Sequence, residues 1–471
     1  MSSTTNELRT KWKSIFSFDW ILSKEIIFIA APVVGAMLAQ ALVNQADSIM
    51  VGRLPASDSV PGQSAVGLTV KILWAIGGFL SAIAVGTQAI TARRNGEHNP
   101  HAAGNVLSSS LTVAVITSGV ASVIGFILGP EILRIISGND PEIMRVGAPF
   151  IRIRLLGIFT MVVTTSYKAF FDGLGKTTVH FYASILMNAT NILLNYMFIY
   201  GKFGAPRWGV HGAATASVLS TVVGLGVMVY FSAKKTNYST YRYYKKSSIR
   251  SSVMWSIVKL SLPSGIATFL LMGGFLIVDW VVGGIGTGEM RTINQTANQI
   301  IITIMMPFLM TCVAFGTATS TLVSRSLGEK DTRKAERYGW ESVKIWGGVM
   351  LVLGLLVGIW PEILIKLFNS SEVRLVEAAS GPLRVIGFML PVAAMGVVLM
   401  QAHFGAGNTL FVMIVEFVSQ FLVLIPMSVI LGRVLKLGLI GVWGPIIIYI
   451  SMIAFLMTIT FFRGKWKKIK I

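Results

Sequence analysis

Residues 26–54 read IIFIAAPVVGAMLAQALVNQADSIMVGRL. From Ile26 to Ala46 there is no charged side chain, and the first that follows is Asp47. A helix rises about 1.5 Å per residue, so about 20 apolar residues cross a hydrocarbon layer about 30 Å thick. The run is long enough to cross a bilayer, and it takes a carboxylate in with it.

Runs of this kind recur along the whole chain, which has 471 residues, 54% of them hydrophobic and 13% charged. We read twelve membrane-spanning helices, at about 25–52, 62–92, 102–128, 143–168, 177–200, 209–232, 253–283, 292–323, 335–359, 373–403, 409–431 and 439–462. No stretch between them is long enough for a soluble domain. Lipid offers no water to a peptide group, so every N–H and C=O must be paired within the span, and helices are the expected solution. The fold class is therefore all-α, a polytopic membrane protein.

The formal charge of +20 is strongly basic, and its distribution matters more than its size. Six Lys and Arg fall in 233–252 and five in 463–471, while Arg9, Lys11, Lys13 and Lys24 precede the first helix. With twelve spans these segments share one side, which orients both termini to the cytoplasm of a cell (inner) membrane. The runs KKTNYSTYRYYKK and RGKWKKIK are expected to face anionic lipid. No basic domain exists to hold nucleic acid. Cys312 is the only cysteine, so disulfide frameworks are excluded, and the five histidines show no metal-ligand spacing. No cofactor is expected.

Several motifs recur at an offset of 232 residues. Asp47 and Gly52 match Asp279 and Gly284, and Gly96-Glu97 matches Gly328-Glu329. Gly173-x-Gly175-x-Thr177 matches Gly405-x-Gly407-x-Thr409, and Gly209-Val210-x-Gly212 matches Gly441-Val442-x-Gly444. Four coincidences at one offset mean duplication. Six helices per copy return the chain to the same side, so the copies are parallel and related by a pseudo-two-fold axis along the membrane normal. The expected organisation is a cytoplasmic segment at 1–24, an N-lobe of helices 1–6 at 25–232 and a basic cytoplasmic linker at 233–252. A C-lobe of helices 7–12 at 253–462 and a basic tail at 463–471 follow. The first helix resembles a signal peptide, but its twin lies inside the chain, so removal is not expected. Glycine pairs such as Gly273-Gly274, Gly283-Gly284 and Gly347-Gly348 are expected to let helices approach closely.

A carboxylate in mid-span costs about 2.5–3.5 kcal/mol on insertion scales. The clear cases are Asp47, Asp279 and Glu416. In MNATNILLNYMFIYG, Asn188, Asn191 and Asn195 follow i, i+3, i+7 spacing and form one polar stripe on an apolar helix. A carboxylate facing that stripe could hold a proton, because burial disfavours its charged form while amide donors stabilise it. It could equally ligate sodium, a hard cation that prefers carboxylate and amide oxygens. The plainer alternative is that the asparagines bond helix to helix. By the offset Asn188 maps to Gln420, so a second site from Asp279, Glu416 and Gln420 is the matching expectation for the C-lobe, against a structural network. The stretch DGLGKTT resembles part of a phosphate-binding loop, but Phe170 stands where its first glycine is required and no strand precedes it.

Together APVVGAMLAQALVNQADSIMVGRL, AVGTQAITARRNGE, FDGLGKTT, NILLNYMFIYG, WGVHGAATASV, CVAFGTATSTLVSRSLGEKD and GAGNT resemble the multidrug and toxic compound extrusion (MATE) family. The likeness spans about residues 20 to 463, and NILLNYMFIYG is similar to the NorM-like branch. The resemblance implies twelve helices in two lobes and export of bulky, often cationic organic compounds, driven by inward sodium or proton flow. It further implies that Asp47, Asn191 and Asn195 belong to an ion site in the first lobe, with Ser217 or Thr215 as hydroxyl partner. NorM-like members carry a glutamate in the seventh helix where Leu271 stands here, so a second-lobe site of the usual kind is not implied.

The expected function is secondary active export by antiport, from a monomer, with alternating access of the two lobes. The nearest rival is a flippase of lipid-linked precursors, which would line its cavity with several cations for pyrophosphate. A membrane-embedded enzyme would need a converging nucleophile and base, and none converge. A channel would need a ring of pore-lining charges.

Overall fold

The computed structural model describes residues 18–367 and 372–471, apart from the side chains of residue 48 and residues 56–61. Of the expected segment at 1–24, residues 1–17 lie outside the described part, including Arg9, Lys11 and Lys13.

Among the described residues, eleven helices are long and apolar enough to cross a membrane. They are α1 (Trp20–Gly52), α2 (Gly62–Gly96), α3 (Pro100–Ile136), α4 (Pro141–Gly173), α6 (Val210–Ala233), α7 (Ser251–Val282), α8 (Gly288–Gly328), α9 (Thr332–Ile359), α10 (Val373–Ala406), α11 (Thr409–Val434) and α12 (Gly438–Arg463). Between the fourth and sixth runs α5 (Thr177–Tyr200), the helix that carries the asparagine stripe and falls outside that set. Twelve long helices thus stand where the sequence places them.

Three of them are less regular than expected. The α4 run breaks at Gly157, where an added Cβ would lie 2.7 Å from Val218 of α6. There Ser122 Oγ of α3 accepts from the Phe159 amide at 3.1 Å, a side chain inserted into the helical ladder. The α2 run breaks at Ala82. In α11, two π-helical stretches, Val418–Leu424 and Ile430–Val434, follow a regular first part. Wide turns of this kind occur often at functional sites.

The duplication is visible in the turns. Gly175 between α4 and α5 and Gly407 between α10 and α11 both adopt positive φ, +74° and +86°, which a residue with a Cβ adopts only under strain. Around each, the next amide reaches back: Lys176 to the Phe171 carbonyl and Asn408 to the His403 carbonyl, both at 2.9 Å. Asn99 caps α3 and Asp331 caps α9, again 232 apart, each accepting from the amide three residues on.

The chain forms two compact units, Pro32–Phe269 with Ile471, and Met1–Ala31 with Leu270–Lys470. The changeovers fall inside α1, beside Pro32, and inside α7, shortly after Pro263. The first turns of α1 join the second unit through a polar network. Arg325 of α8 and the Tyr338 hydroxyl of α9 both donate to the Glu25 carboxylate, and Arg337 pairs with Asp19. The Asp19 amide also donates to Glu341 Oε1 at 3.1 Å.

Each unit has its own apolar core. In the first, Ile90, Leu107, Leu133, Leu155, Phe170 and Phe171 are among the buried members. In the second, Val281, Ile301, Ile365, Leu383 and Ala394 occupy the matching role. Large apolar side chains on the outward faces stay exposed, as on α3 at Ile116, Val120, Val123 and Ile127, which fits a surface solvated by lipid.

Small residues permit one close crossing that the glycine pairs did not indicate. At Gly387 of α10 an added Cβ would lie 2.5 Å from the Gly358 nitrogen of α9, and at Gly354 it would lie 2.4 Å from the Gly387 carbonyl. Gly273, Gly347 and Gly348, by contrast, have nothing within 4 Å of such a Cβ. Gly274 and Gly284 make room for the side chains of Gln420 and Arg433 rather than for a second backbone. The expected pairs are therefore not helix crossings, because adjacent residues on a helix point about 100° apart and cannot both face one neighbour.

The basic segment after α6 also has structure. A short helix, Lys235–Tyr241, leads to Tyr243, which is fully buried and donates to the Ser232 carbonyl. Burial pushes the Tyr241 and Tyr243 phenols above their usual pKa, and the Tyr244 and Tyr241 rings beside Tyr243 add to its rise.

Candidate cation site in the first unit

Asp47 lies near the C-terminal end of α1, and its position follows from apolar packing around it. Val51 and Leu54 join Val146, Phe150, Ile199, Val210 and Ala213 in one cluster. The Tyr200 hydroxyl donates to the Met50 carbonyl at 2.8 Å, tying the end of α1 to the end of α5. At Gly212 an added Cβ would lie 2.6 Å from the Phe198 carbonyl, so α6 starts hard against α5. These contacts set Asp47 opposite the asparagine stripe.

The stripe forms a chain of bonds. Asn195 Nδ2 donates to Asp47 Oδ1 at 2.5 Å and to Asn191 Oδ1 at 3.0 Å. Asn191 Nδ2 in turn approaches Ser217 Oγ and Ser220 Oγ of α6, each at 3.4 Å. The guanidinium of Arg154, on α4, acts electrostatically on Asp47. Thr215 donates to the His211 carbonyl of its own helix at 3.0 Å.

Two asparagines leave polar atoms over. Asn188 is 4% exposed, and neither its amide nitrogen nor its carbonyl oxygen has a partner among the described residues. The Asn195 carbonyl oxygen is likewise buried without a donor. An unsatisfied buried polar group costs about 1–3 kcal/mol, so a guest that satisfies it gains what the fold has left open. The groups on offer are a carboxylate and two amide oxygens, a set of hard donors that suits a proton carrier or sodium.

In the second unit the expected residues find separate partners. Asp279 Oδ1 accepts from Asn298 at 2.7 Å and from Gln299 at 3.5 Å, both on α8, and Trp443 Nε1 of α12 holds Asn298 Oδ1 at 2.9 Å. Glu416 accepts from the Tyr449 hydroxyl at 3.2 Å. Gln420, inside the first π stretch of α11, donates to the Leu271 carbonyl at 3.1 Å and keeps a buried oxygen without a donor. Sequence reasoning missed Ser220, Asn298, Trp443 and Tyr449. Only Ser220 was open to discovery, three residues beyond Ser217 on the same helical face.

A family model described as MatE matches residues 32–197 and 263–430. The chain is 26% identical over 452 residues to a protein of Thermotoga maritima described as "Probable multidrug resistance protein NorM", covering 95% of this chain and 94% of that one. Among solved structures, one described as "Outward-facing conformation of a multidrug resistance MATE family transporter of the MOP superfamily" superposes with a TM-score of 0.87, at 22% identity, over 95% of this chain and 97% of its own. Another, from Pyrococcus furiosus, is described by "Reverse polarity of binding pocket suggests different function of a MOP superfamily transporter". It has a TM-score of 0.86 at 22% identity and covers 97% of this chain and 98% of its own. These structural likenesses speak for the fold.

Proposed function

The chain belongs to the MatE family of multidrug efflux transporters, and we propose that it is an antiporter that exports organic, often cationic, compounds in exchange for an inward-moving sodium ion or proton. The observation that carries this reading is the bond chain Asp47–Asn195–Asn191 beside the unpartnered Asn188. A cation arriving there neutralises the carboxylate and satisfies amide oxygens that the fold leaves open. Neutral and charged forms of Asp47 then prefer different packing of the end of α1, and that difference is the free energy available for coupling. One charge moving through 100 mV supplies about 2.3 kcal/mol, enough for about a fifty-fold concentration ratio.

The concentration of basic residues at 233–252 and 463–471 supports an orientation with both termini in the cytoplasm and the Asp47 end of α1 outside. Asp279, Glu416 and Gln420 we assign to holding the second unit together, since they bond to separate partners, Asn298, Tyr449 and the Leu271 carbonyl, and not to one another.

The test is dye efflux from vesicles under separately imposed sodium and pH gradients. Asp47→Asn should abolish efflux under whichever gradient drives the parent protein, with membrane insertion unchanged. A variant that exports at the parent rate removes the reading.

A further inference from the structure

The carbonyls and side chains of α5 hold more than the cation site. Five buried polar residues, His180, Ser184, Asn188, Asn191 and Asn195, succeed one another at spacings of 4, 4, 3 and 4. That spacing keeps them on one face of the helix, over about 22 Å from the first to the last. At the Asn195 end the line meets Asp47. At the other end His180 Nδ1 faces Asp172 Oδ2 of α4 at 2.9 Å, with both side chains buried. In the middle sits Asn188, 4% exposed and without a partner on either amide atom.

We propose that this face is a proton path inside the first unit, running from Asp47 to a buried relay formed by His180 and Asp172. The inference rests on the reading that Asp47 takes up the coupling cation, and it commits that cation to be a proton. A proton arriving along the line binds the imidazole nitrogen turned away from Asp172. The imidazolium so formed is balanced by the Asp172 carboxylate, and the proton leaves to water at the cytoplasmic end, restoring the neutral ring. Asn and Ser neither gain nor lose protons here. They orient the intervening waters, which Asn188 has two free atoms to hold.

Two features separate this from ordinary helix packing. In the duplicated helix α11, 232 residues later, Glu416 and Gln420 stand at the places of Ser184 and Asn188, while His180, Asn191 and Asn195 are replaced by Val412, Val423 and Met427. The copy is polar only in the middle of the face, so the fold does not need polar residues at both ends of it. The second histidine near such a turn, His403, meets the Met457 carbonyl at 3.3 Å and Asn408 at 3.3 Å. His180 instead has a carboxylate.

Among the described residues, charged and polar groups from three elements lie near the pair. Lys168, one turn before Asp172 on α4, acts on the Asp172 carboxylate. From α2, Gln88 and Thr91 lie against Gly173, while Arg93 interacts with Glu97 and Arg94. Lys176 in the turn donates to Asn237 at 2.8 Å.

The test uses the full chain in vesicles enclosing a pH-sensitive dye, with efflux of an organic cation dye followed in parallel. His180→Gln and Asn188→Leu should each slow pH-driven efflux and the coupled proton entry by a factor on the order of ten or more. Organic-cation binding should stay at the parent value and neither variant should unfold below the assay temperature, a combination that a packing defect does not produce. Parent rates in both variants, or loss in only one, overturn a continuous path while leaving the Asp47 reading intact if Asp47→Asn is inert. Export driven by sodium alone and dependent on Asp47 likewise overturns the path and keeps the site. Full activity of Asp47→Asn sinks the parent reading instead.

Discussion

Asn195 Nδ2 and Asp47 Oδ1 stand 2.5 Å apart although 148 residues separate them in the chain. The bond joins the end of the first long helix to the end of the fifth, and it faces the acid with an amide rather than with a fixed cation in salt-bridge contact. Such a pair holds either protonation state without collapse, which a clamped ion pair cannot do.

Asn195→Leu removes the donor and leaves the Asp47 carboxylate and Asn191 carbonyl without their shared partner. Thermal unfolding in detergent should show a loss of about 1–3 kcal/mol. Efflux under the driving gradient should fall with it. Parent stability would mean that the bond contributes nothing.

Asp279→Asn and Glu416→Gln should behave differently from Asp47→Asn. Asparagine can still accept from Asn298, and glutamine can still accept from Tyr449. Both variants should export at rates within a factor of about five of the parent, a spread of about 1 kcal/mol. Complete loss in either would make the second unit part of the ion machinery.

Glu25→Gln weakens the attachment of the first turns of α1 to α8 and α9, where Arg325 and Tyr338 share its carboxylate. The pair is partly exposed, 21% for Arg325 and 34% for Glu25, so the expected cost is modest, about 1 kcal/mol. A double-mutant cycle with Arg325→Gln measures it.

Gly387→Ala puts a methyl 2.5 Å from the Gly358 nitrogen, a backbone atom that cannot swing aside. Overpacking of this kind costs about 1–3 kcal/mol. Gly347→Ala and Gly348→Ala meet nothing within 4 Å and should be neutral to stabilising. Equal effects at all three positions would contradict the crossing.

Tyr241 and Tyr243 supply a pH dependence outside the membrane. Their phenols are held neutral in the folded protein, above the usual value for tyrosine. The stability they confer is whole below about pH 10, where the unfolded phenol also keeps its proton, and falls as pH rises beyond it. Urea or thermal denaturation between pH 8 and pH 11 should show this decline, and Tyr243→Phe should reduce its slope.

Much of this was legible in the residues alone. The run at 26–46 and its repeats placed twelve helices, because membrane spanning depends on composition over a window. The offset of 232 residues carried the turns at Gly175 and Gly407 as well, since a positive φ demands the same residue in both copies. Asn191 and Asn195 could be grouped with Asp47 because one stripe on an apolar helix needs a polar neighbour. The partners of Asp279 and Glu416 could not be found this way. Asn298, Trp443 and Tyr449 come from helices whose rotation is set by packing, and nothing local to them announces it. The break at Gly157 was hidden for the same reason, since it depends on Ser122 of another helix.

The segment after α6 looks from its lysines like a loose tether, yet Tyr241 and Tyr243 sink into the same core as Phe170 and Phe171. Gly104 of α3 admits the Tyr241 backbone to within 1.9 Å of where its own Cβ would be. A protease working from that face finds the exposed Lys234 and Lys235 ahead of these tyrosines, and the exposed Lys245 and Lys246 after them. An epitope or fluorescent label inserted between the latter two lysines should be tolerated, whereas the same insertion four residues earlier would pull the plug from the first unit.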